Sequence, residues 1–400
     1  MQSRARRLTI MLGLVGGLLA AGYGALFAML DDIRDEYGIS ESALGGVIGI
    51  GFIAGFVAQT TIAPLADRGH ARRLVVMGLV INVVSLVAMA AATTIVPLLL
   101  GRFVMGIGVG MAVPALRRIV ILADPDDIGR NLGRLLSADV AGFAAGPAIA
   151  AVLVGPLGIP APFLVTAAAS AIAVPFIARI DVSETVEPPT QRLAFDLLRI
   201  RPFAGAVALG CAVFLMIGTF DALWSVALDD LGTAEWIANL GISLFALPLV
   251  IFGSTGGRLA QRVGPFRVAT VGLLLGSGFM LMYGLVPTGV AMFAIAMVHS
   301  VSDGLTVSST GVAVGLVVPV ERQAGAQGVL GGMQVLVAGV TAVIAGITYD
   351  HAGRTVAYTV CAILMFTLVG VGVWLARDQF GVRGDPEANA AAPPAVAAAD

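Results

Sequence analysis

The chain has 400 residues, of which 58% are hydrophobic and 12% are charged, against about 25% charged residues in soluble domains. A soluble protein of this length could not bury so much apolar surface, so the composition excludes a soluble globular domain and indicates a protein embedded in a bilayer. The formal net charge of −2 says little about partners. The two cysteines, Cys211 and Cys361, lie in apolar runs, and we expect buried side chains and no disulfide.

Apolar runs long enough to cross a bilayer, which takes about 20 residues, follow one another along the chain. The first run is too long for a signal-peptide core, so we expect it to remain as a helix. The tenth run, 289–317, is longer than a minimal span, so part of it should tilt or protrude. Numbered as spans 1 to 12, the runs lie at 8–30, 43–64, 74–93, 97–118, 134–155, 161–178, 203–227, 236–256, 267–286, 289–317, 327–348 and 355–376.

The spans divide into two sets of six. The longest connection between spans contains Glu184, Glu187 and two adjacent prolines, which indicates a linker. The Ala/Pro-rich end is expected to be disordered. The sequence therefore predicts an all-α membrane protein in four parts: an N-terminal six-helix half (1–178), a cytoplasmic linker (179–202), a C-terminal six-helix half (203–376) and a disordered cytoplasmic tail (377–400).

The distribution of basic residues predicts the orientation of the chain in the membrane. All 23 of them are arginines, and nearly all lie before span 1, in the connections after even-numbered spans or in the tail. Only Arg34 and Arg354 lie in loops on the opposite side, and Arg102 lies inside span 4. Because loops rich in arginine stay in the cytoplasm, we expect both termini to be cytoplasmic and the protein to lie in the cell's inner (plasma) membrane.

The two halves repeat one design. The loop after span 2 reads Ala63-Pro64-Leu65-Ala66-Asp67-Arg68, and the loop after span 8 reads Gly257-Arg258-Leu259-Ala260-Gln261-Arg262. Asp67 and Gln261 are therefore equivalent at an offset of 194 residues, as are Arg68 and Arg262. Two parallel six-helix repeats are typical of a secondary transporter whose halves rock about a central site.

Three motifs carry a resemblance to a known family. They are the basic loop around Asp67 and Arg68, the segment Arg102-Phe-Val-Met-Gly106-Ile-Gly108-Val-Gly110 in span 4, and Gly142-Phe-Ala-Ala-Gly146-Pro147 in span 5. With these motifs in this order the chain resembles the major facilitator superfamily over essentially its whole length. The resemblance implies a small-molecule transporter, and the motif in span 5 is similar to one found in the family's antiporters.

The resemblance also implies roles for the motif residues. Asp67 would be a latch that binds loop arginines or the positive end of a neighbouring helix and breaks when the halves rock. The alternative is a solvated turn. The other residues of this expected cytoplasmic gating loop are Arg68, Arg72, Arg73, Arg262 and Arg267.

The glycines of spans 4 and 5 are expected to serve helix packing. Gly142 and Gly146 form a smooth strip that lets another helix approach closely, and Pro147 permits a bend. In the family this strip meets span 8 and limits leakage; simple packing within a half is the alternative. Gly106 and Gly110 belong to the same expected packing set.

Ionisable residues inside spans are costly and usually face a cavity or a partner. Asp303 and His299 lie four residues apart on one face of span 10, and Asp221 and Asp139 lie in spans 7 and 5. A carboxyl group in a low-dielectric cavity can hold a proton that an aqueous aspartate would lose. We rank Asp303 first as the proton carrier, Asp221 second and Asp139 third.

Each of these residues also has a structural alternative. Asp139 could pair with Arg134 or another inner arginine, and His299 with Asp303 could be a satisfied pair among packed helices. Arg102 could be a counter-charge for Asp31, Asp32 or Asp221. Trp224 would be an interfacial anchor or would line the cavity mouth beside Asp221.

Three functions remain open. The first is proton-coupled export of a hydrophobic or cationic small molecule, and the second is proton-linked uptake of a sugar or organic acid. The third is a receptor on the same fold that transports nothing. No phosphate-binding loop, metal-ligand cluster, nucleophile–base pair or basic arm is present in the sequence, so we expect no enzyme activity, cofactor, metal or nucleic-acid partner. The expected partners are substrate, protons and lipid, and the expected state is a monomer.

Overall fold

The computed structural model describes residues 2–182 and 188–380. Glu184 and Glu187 of the linker and the tail from residue 381 onward lie outside the described residues. Within them the secondary structure is helical. The helices of the N-terminal half are α1 (Gln2–Ala28), α2 (Leu30–Tyr37), α3 (Glu41–Thr61), α4 (Ala71–Ala90), α5 (Ile95–Ala123), α6 (Ile128–Leu157) and α7 (Pro160–Ala178).

The C-terminal half repeats this arrangement without a counterpart of α2. Its span 10 is divided between two helices, and its spans 11 and 12 lie in one continuous element. Its helices are α8 (Arg201–Asp230), α9 (Glu235–Val263), α10 (Pro265–Leu285), α11 (Gly289–Thr306), α12 (Ser309–Val317) and α13 (Gln323–Leu375). Short 3-10 helices lie between these elements at Ala63–Arg68, Pro125–Asp127, Phe195–Arg199, Val320–Arg322 and Arg377–Gln379.

The helices long and apolar enough to cross a membrane number 11 in the described part of the chain, and the last of them contains two crossings. α13 has 53 residues, and at 1.5 Å per residue it would be about 80 Å long, far more than a bilayer is thick. Gly353, with φ 80° and ψ 174°, breaks its helical backbone. A residue with a Cβ avoids this conformation, so glycine marks the turn, and twelve spans result.

Span 10 is the other departure from a simple helix. The sequence predicts a long, tilted or protruding run at 289–317, and the structure instead divides it into α11 and α12 at Val307 and Ser308. The break follows Asp303 by one turn. The remaining predicted spans begin and end within a few residues of the observed helices, except that α1, α5, α6 and α9 extend further at the end of the bundle that carries the N-terminus. Arg377–Gln379, expected in the disordered tail, forms a 3-10 helix.

The first helix of each half packs on the fifth through glycines at equivalent positions. Side chains added at Gly16 or Gly24 of α1 would collide with Asp139 or Phe143 of α6. In the other half, a side chain at Gly210 or Gly218 of α8 would meet Gln334 or Ala338 of α13 in the same way. These contacts repeat at the offset seen in the loops, so the repeat in the sequence is a repeat in packing.

The two halves meet through α6 against α9 and through α3 against α13. Hydrogen bonds join them at the end of the bundle that carries the N-terminus and the 182–201 connection. Side chains at Gly129 or Gly133 of α6 would collide with the backbone of Gly257 or Gly253 of α9, so the two helices are in backbone contact there. This end of the bundle is closed.

Candidate functional site

Four aromatic side chains from three helices gather on the inner face of the N-terminal half. The ring of Tyr23 lies 4.6 Å from that of Phe27, 5.8 Å from that of Phe143 and 6.1 Å from that of Phe52. All four are partly exposed. Phe52 also packs against Gly339 of α13, so this cluster lies at the boundary between the halves.

Arg102 lies behind this cluster. Its side chain is 4% exposed, and its guanidinium carbon lies 4.6 Å from the centre of the Tyr23 ring. A side chain at Gly51 of α3 would collide with the guanidinium, so the glycine at this position leaves the space that the guanidinium occupies. The Nε hydrogen of Arg102 has no acceptor among the described residues. The cation is therefore held by an aromatic face.

The expected carboxylate partners of Arg102 do not bind it in the described part of the chain. Asp31 forms a salt bridge of 3.0 Å with Arg34 at the surface, and Asp32 is exposed. Asp221 of α8 is exposed as well and lies within electrostatic reach of Tyr23. The prediction of a direct counter-ion was wrong: the Tyr23 ring covers the guanidinium, and no salt bridge joins Arg102 to these carboxylates among the described residues.

Trp224 is placed differently from both expectations. It is fully buried, stacks on Phe220 at 4.8 Å and packs against Gly241 of α9. It is neither an interfacial anchor nor part of the cavity mouth. Although Trp224 follows Asp221 by three residues, the two side chains have different surroundings, because the Trp224 side chain points into the interior of the C-terminal half.

A second polar cluster lies inside the C-terminal half. The Tyr283 hydroxyl is 2.9 Å from Nδ1 of His299, and Nε2 of His299 is 3.4 Å from Oδ1 of Asp303. His299 is 1% exposed and Asp303 is 3% exposed. The imidazole thus has a hydroxyl within hydrogen-bond distance at one nitrogen and a carboxyl nearby, without a hydrogen bond, at the other. A small side-chain movement would complete a short relay that can hold or pass a proton.

Aromatic rings enclose this cluster. The Phe279 ring stacks on the His299 ring at 4.8 Å, and Phe245 meets it edge-on at 5.5 Å. A side chain at Gly276 would lie close to Met216 and to Nε2 of His299. Because apolar groups pack against His299 and both His299 and Asp303 are almost fully buried, the cluster is shielded from solvent.

Asp139 has a different environment. Its carboxyl lies against Gly16 of α1, and the nearest basic group acting on it is Arg117. Arg134, the expected partner, instead donates a hydrogen bond of 3.0 Å to the side chain of Asn131. Among the described residues neither arginine forms a salt bridge with Asp139, so the structural pair stays a prediction.

Asp67 joins the two halves. Its carboxylate accepts hydrogen bonds from the backbone N–H groups of Ala324 at 2.9 Å and Gly325 at 2.7 Å, at the start of α13. It also forms a salt bridge of 2.9 Å with Arg118 of α5. Asp67 is 2% exposed, so it is not a solvated turn. It binds a helix N-terminus, where negative charge is favoured, and its arginine comes from α5 and not from the loop.

The other arginines of the expected gating loop contact the linker and the termini of helices. Arg68 donates to the carbonyls of Pro189 and Thr190 at 3.4 Å, and Arg72 donates to the carbonyl of Ile180 at 3.2 Å. Arg267 donates to the carbonyl of Phe380. Arg73 and Arg262 are exposed.

The linker is fixed to the C-terminal half by an ion pair. Asp196 accepts two hydrogen bonds from the Arg322 guanidinium, at 2.5 and 2.7 Å, and Arg322 also donates to the carbonyl of Leu193 at 2.8 Å. The hydrogen bonds from Arg322 lower the pKa of the Asp196 carboxyl. The linker therefore lies across the closed end of the bundle.

The glycine motifs have neighbours inside their own half. Gly142 packs on Gly17 of α1, and Gly146 on Gly24 and Ala25 of α1. Contact of this strip with span 8 was expected, and that expectation is corrected: α9 meets α6 about two and a half to five turns earlier, at Gly129 and Gly133. The remaining motif positions pack on α3, Gly106 against Gly51 and Ala54, and Gly110 against Gly55 and Ala58. Pro147 lies within α6.

Sequence reasoning missed three functional partners. Tyr23 and Tyr283 gave no signal beyond a tyrosine in an apolar run. Arg118 was counted only among the basic residues that set orientation. A usable signal for Arg118 was its place at the cytoplasmic end of span 4, where it needs a counter-charge if buried.

Two repeated six-helix halves, a closed end and an aromatic, charged face between the halves define a secondary transporter of small molecules and not an enzyme. The sequence model of the Major Facilitator Superfamily matches residues 12–229 and 206–398. The chain belongs to this family and is a multi-pass membrane transporter.

Among solved structures, the human organic anion transporter MFSD10 superposes with a TM-score of 0.76 at 17% identity, covering 92% of this chain and 99% of that one. FucP in the outward conformation gives 0.73 at 15% identity, with 92% and 98% covered. The proton:xylose symporter XylE gives 0.76 at 12% identity, with 93% and 96% covered. At these identities the likeness concerns the fold alone.

One curated relative is similar in sequence. The glucose transporter GlcP of Staphylococcus epidermidis is 28% identical over 130 residues, which is 32% of this chain and 29% of that protein. The chain thus aligns with less than a third of this relative's length.

Proposed function

We propose that the chain is a proton-coupled exporter of a hydrophobic or cationic small molecule, working by alternating access in the inner (plasma) membrane. The observation that carries the proposal is a set of carboxyl groups inside the spans. Among the described side chains, Asp139, Asp221 and Asp303 have no arginine within salt-bridge distance, whereas Asp67 is bound by Arg118. A carboxyl without a cation in a low-dielectric site can exchange a proton during a transport cycle.

The face between the halves supports the substrate class. The rings of Tyr23, Phe27 and Phe143 offer an apolar, polarisable wall, which favours a hydrophobic substrate. Asp221 of α8 is exposed within electrostatic reach of Tyr23 and, when ionised, offers a negative charge to a cation. Arg102 is engaged by the Tyr23 ring, so its charge is partly compensated within the site.

The contacts of Asp67 support alternating access. They join the loop after α3 to the start of α13 and so hold the two halves together at the end that carries the N-terminus. If this end is cytoplasmic, the structure represents the state that is closed to the cytoplasm. These contacts must break for the halves to rock, so their strength influences the balance of inward-facing and outward-facing states.

Transport in proteoliposomes tests the proposal. The sign of the pH gradient separates the mechanisms, because antiport drives solute into vesicles with an acidic lumen, while symport requires an alkaline lumen. The panel should contain lipophilic cations, sugars and organic anions. We expect a lipophilic cation to accumulate only in acid-loaded vesicles. Accumulation of a solute only in alkaline-loaded vesicles contradicts export, and no flux of any solute contradicts transport as such.

Uptake of a sugar is the second candidate, and one observation favours it. The relative that shares 28% identity over 130 residues is a glucose transporter. Sugar sites need many polar side chains to replace water around each hydroxyl, and the wall formed by Tyr23, Phe27 and Phe143 offers one hydroxyl. The sugar arm of the proteoliposome panel decides between the two.

The orientation requires a separate test. Asp229 lies exposed at the end of α8, and His70 lies exposed on the opposite side, before α4. With Cys211 and Cys361 replaced, Asp229→Cys should react with an impermeant thiol reagent on intact cells. His70→Cys should react only after permeabilisation. The reverse pattern would place the termini outside.

A further inference from the structure

The 3-10 helix after α3 and the last turn of α9 make equivalent contacts with the opposite half. Asp67 accepts a hydrogen bond from the backbone N–H of Ala324 at the start of α13. At an offset of 194 residues, Gln261 accepts one from the N–H of Gly129 at 2.7 Å, at the start of α6. Gly129 and Ala324 are themselves separated by 195 residues. Each half therefore caps the helix of the other half's fifth span with one side chain from the end of its own second span.

We propose that Gln261 is a second latch, uncharged, that holds the closed state from the C-terminal side. It is a positioning residue for the transport cycle, and the proposal rests on the alternating access proposed above. The charged latch at Asp67 and the neutral latch at Gln261 lie on opposite sides of the interface between the halves.

An amide suits this position because it makes two different hydrogen bonds. The Gln261 Oε1 accepts from Gly129 N–H, while its Nε2 donates to the carbonyl of Asp126 at 2.9 Å. An ionised carboxylate has no donor for that carbonyl. One side chain thus satisfies a free N–H of a helix start and a carbonyl of the turn before it.

The two latches differ in their need for a cation. Asp67 is buried with Arg118, which compensates its charge. The residue 194 positions after Arg118 is Val312, which is fully buried. The C-terminal latch therefore has no equivalent of Arg118, and a neutral glutamine needs none.

The backbone contact between α6 and α9 brings Gln261 within reach. Side chains at Gly129 or Gly257 would collide with the opposite backbone, so the helices approach closely beside the glutamine.

Charged groups surround the site on both halves, with Arg130 and Asp127 forming a salt bridge of 3.4 Å. The charged groups of these elements are Asp126, Asp127, Arg130 and Arg134 near α6, and Arg258 and Arg262 on α9. The amide itself does not titrate, so its contribution to closure should not depend on pH between 6 and 8.

Gln261→Met tests the proposal, since methionine has nearly the same length and makes neither hydrogen bond. Spin labels at Arg179 and Arg377, exposed at the N-terminus-bearing end of each half, report the distance between the halves in the purified full chain. Two lost hydrogen bonds should reduce the closed-to-open ratio at this end about five- to thirtyfold. The reduction should be the same at pH 6 and pH 8. Gln191→Met, in the exposed linker, is the matched control and should leave the ratio unchanged.

The outcomes separate this proposal from the proposed function. If the wild type never shows a second distance under any pH or substrate, alternating access itself fails and Gln261 has no transition to act on. If the wild type shows both distances and neither Gln261→Met nor Gln261→Ala changes their ratio, the neutral latch is wrong while alternating access stands. The alanine variant provides the second measurement should the methionine variant not fold. An equal shift in the Gln191→Met control would also overturn the proposal.

Discussion

The two halves share a backbone plan and differ in where their polar groups lie. The N-terminal half places buried polar groups at its boundary with the other half, with Arg102 under the Tyr23 ring and Asp67 on the start of α13. The C-terminal half buries its main polar group, the chain of Tyr283, His299 and Asp303, among its own helices. The side chain with which it holds the start of α6 is the amide of Gln261 and not a member of an ion pair.

This difference teaches that the repeat determines where helices pack and not what each position does. Gly16 against Asp139 and Gly210 against Gln334 are the same packing contact with an acid in one half and an amide in the other. Gly fixes the close approach in both cases, so the polar partner is free to change. Function on this fold follows from such substitutions between equivalent positions.

Replacing Asp303 should have the largest effect and would test whether the C-terminal half is the proton-carrying half. Asp303→Asn keeps the shape of the side chain but cannot exchange a proton. It should abolish pH-driven flux while leaving exchange of substrate for substrate largely intact. Counterflow and pH-driven flux in the same proteoliposomes measure the two activities.

Asp221→Asn and Asp139→Asn are the matched controls for this prediction. Asp139→Asn should impair folding or closure if Asp139 is structural, as its contact with Gly16 indicates. If Asp221→Asn loses coupling while Asp303→Asn retains it, the carrier faces the space between the halves. If all three variants still couple, the carboxyl groups are structural.

Replacing Asp67 should shift the conformational balance without abolishing coupling. Asp67→Asn loses the salt bridge with Arg118 and one of the acceptors at the start of α13. The closed state should be destabilised by roughly 1–3 kcal/mol, measured as the ratio of the two distances between labels on the two halves. Asp31→Asn, at an 84% exposed side chain away from the interface, is the control. An unchanged ratio in Asp67→Asn would mean that this contact does not limit opening.

Replacing Tyr23 should have a moderate effect on substrate binding. Tyr23→Leu removes the ring that covers the Arg102 guanidinium, a contact worth about 0.5–2 kcal/mol. We expect substrate affinity to fall about three- to thirtyfold, while Tyr23→Phe should stay within about threefold because the ring remains. Equilibrium binding to purified protein measures both. Equal affinities for the wild type and the leucine variant would remove Tyr23 from the site.

The linker should show the smallest effect. Because Arg322 lowers the pKa of Asp196, this ion pair favours the docked linker at pH values above the ordinary carboxyl pKa of about 3.9. The contribution is lost only as the pH falls below that value, through the lowered pKa. Linker docking should therefore be constant between pH 5 and 8. Hydrogen exchange of residues 189–199 measures it, and Asp196→Asn should speed exchange severalfold at all these pH values. Loss of protection already at pH 6 would contradict the assignment.

Much of the fold followed from the sequence. Hydrophobic length gave the spans, and the repeated loops gave the two halves, because both depend on short stretches of chain. The break between α11 and α12 was missed, since it depends on how neighbouring helices pack. The separation of spans 11 and 12 was predicted, and Gly353 breaks the helix between them.

The site was harder to predict than the fold. The ionisable residues inside spans were found because charge is rare in an apolar run. Apart from the pair of His299 and Asp303, the partners of buried charges were not found, since Tyr23 with Arg102 and Arg118 with Asp67 join residues 79 and 51 positions apart. Trp224 shows the limit most clearly: three residues from Asp221, it turns into the core of its own half.

The central claim, that substrate and proton compete for a carboxyl group in the membrane, is tested most directly by proton release. A substrate found in the proteoliposome panel is added to purified protein in weak buffer with a pH indicator. The proposal predicts proton release on addition of substrate to the wild type, and none with Asp303→Asn, although this variant still binds. Binding by the wild type without any release between pH 5 and 8 would contradict proton-coupled export.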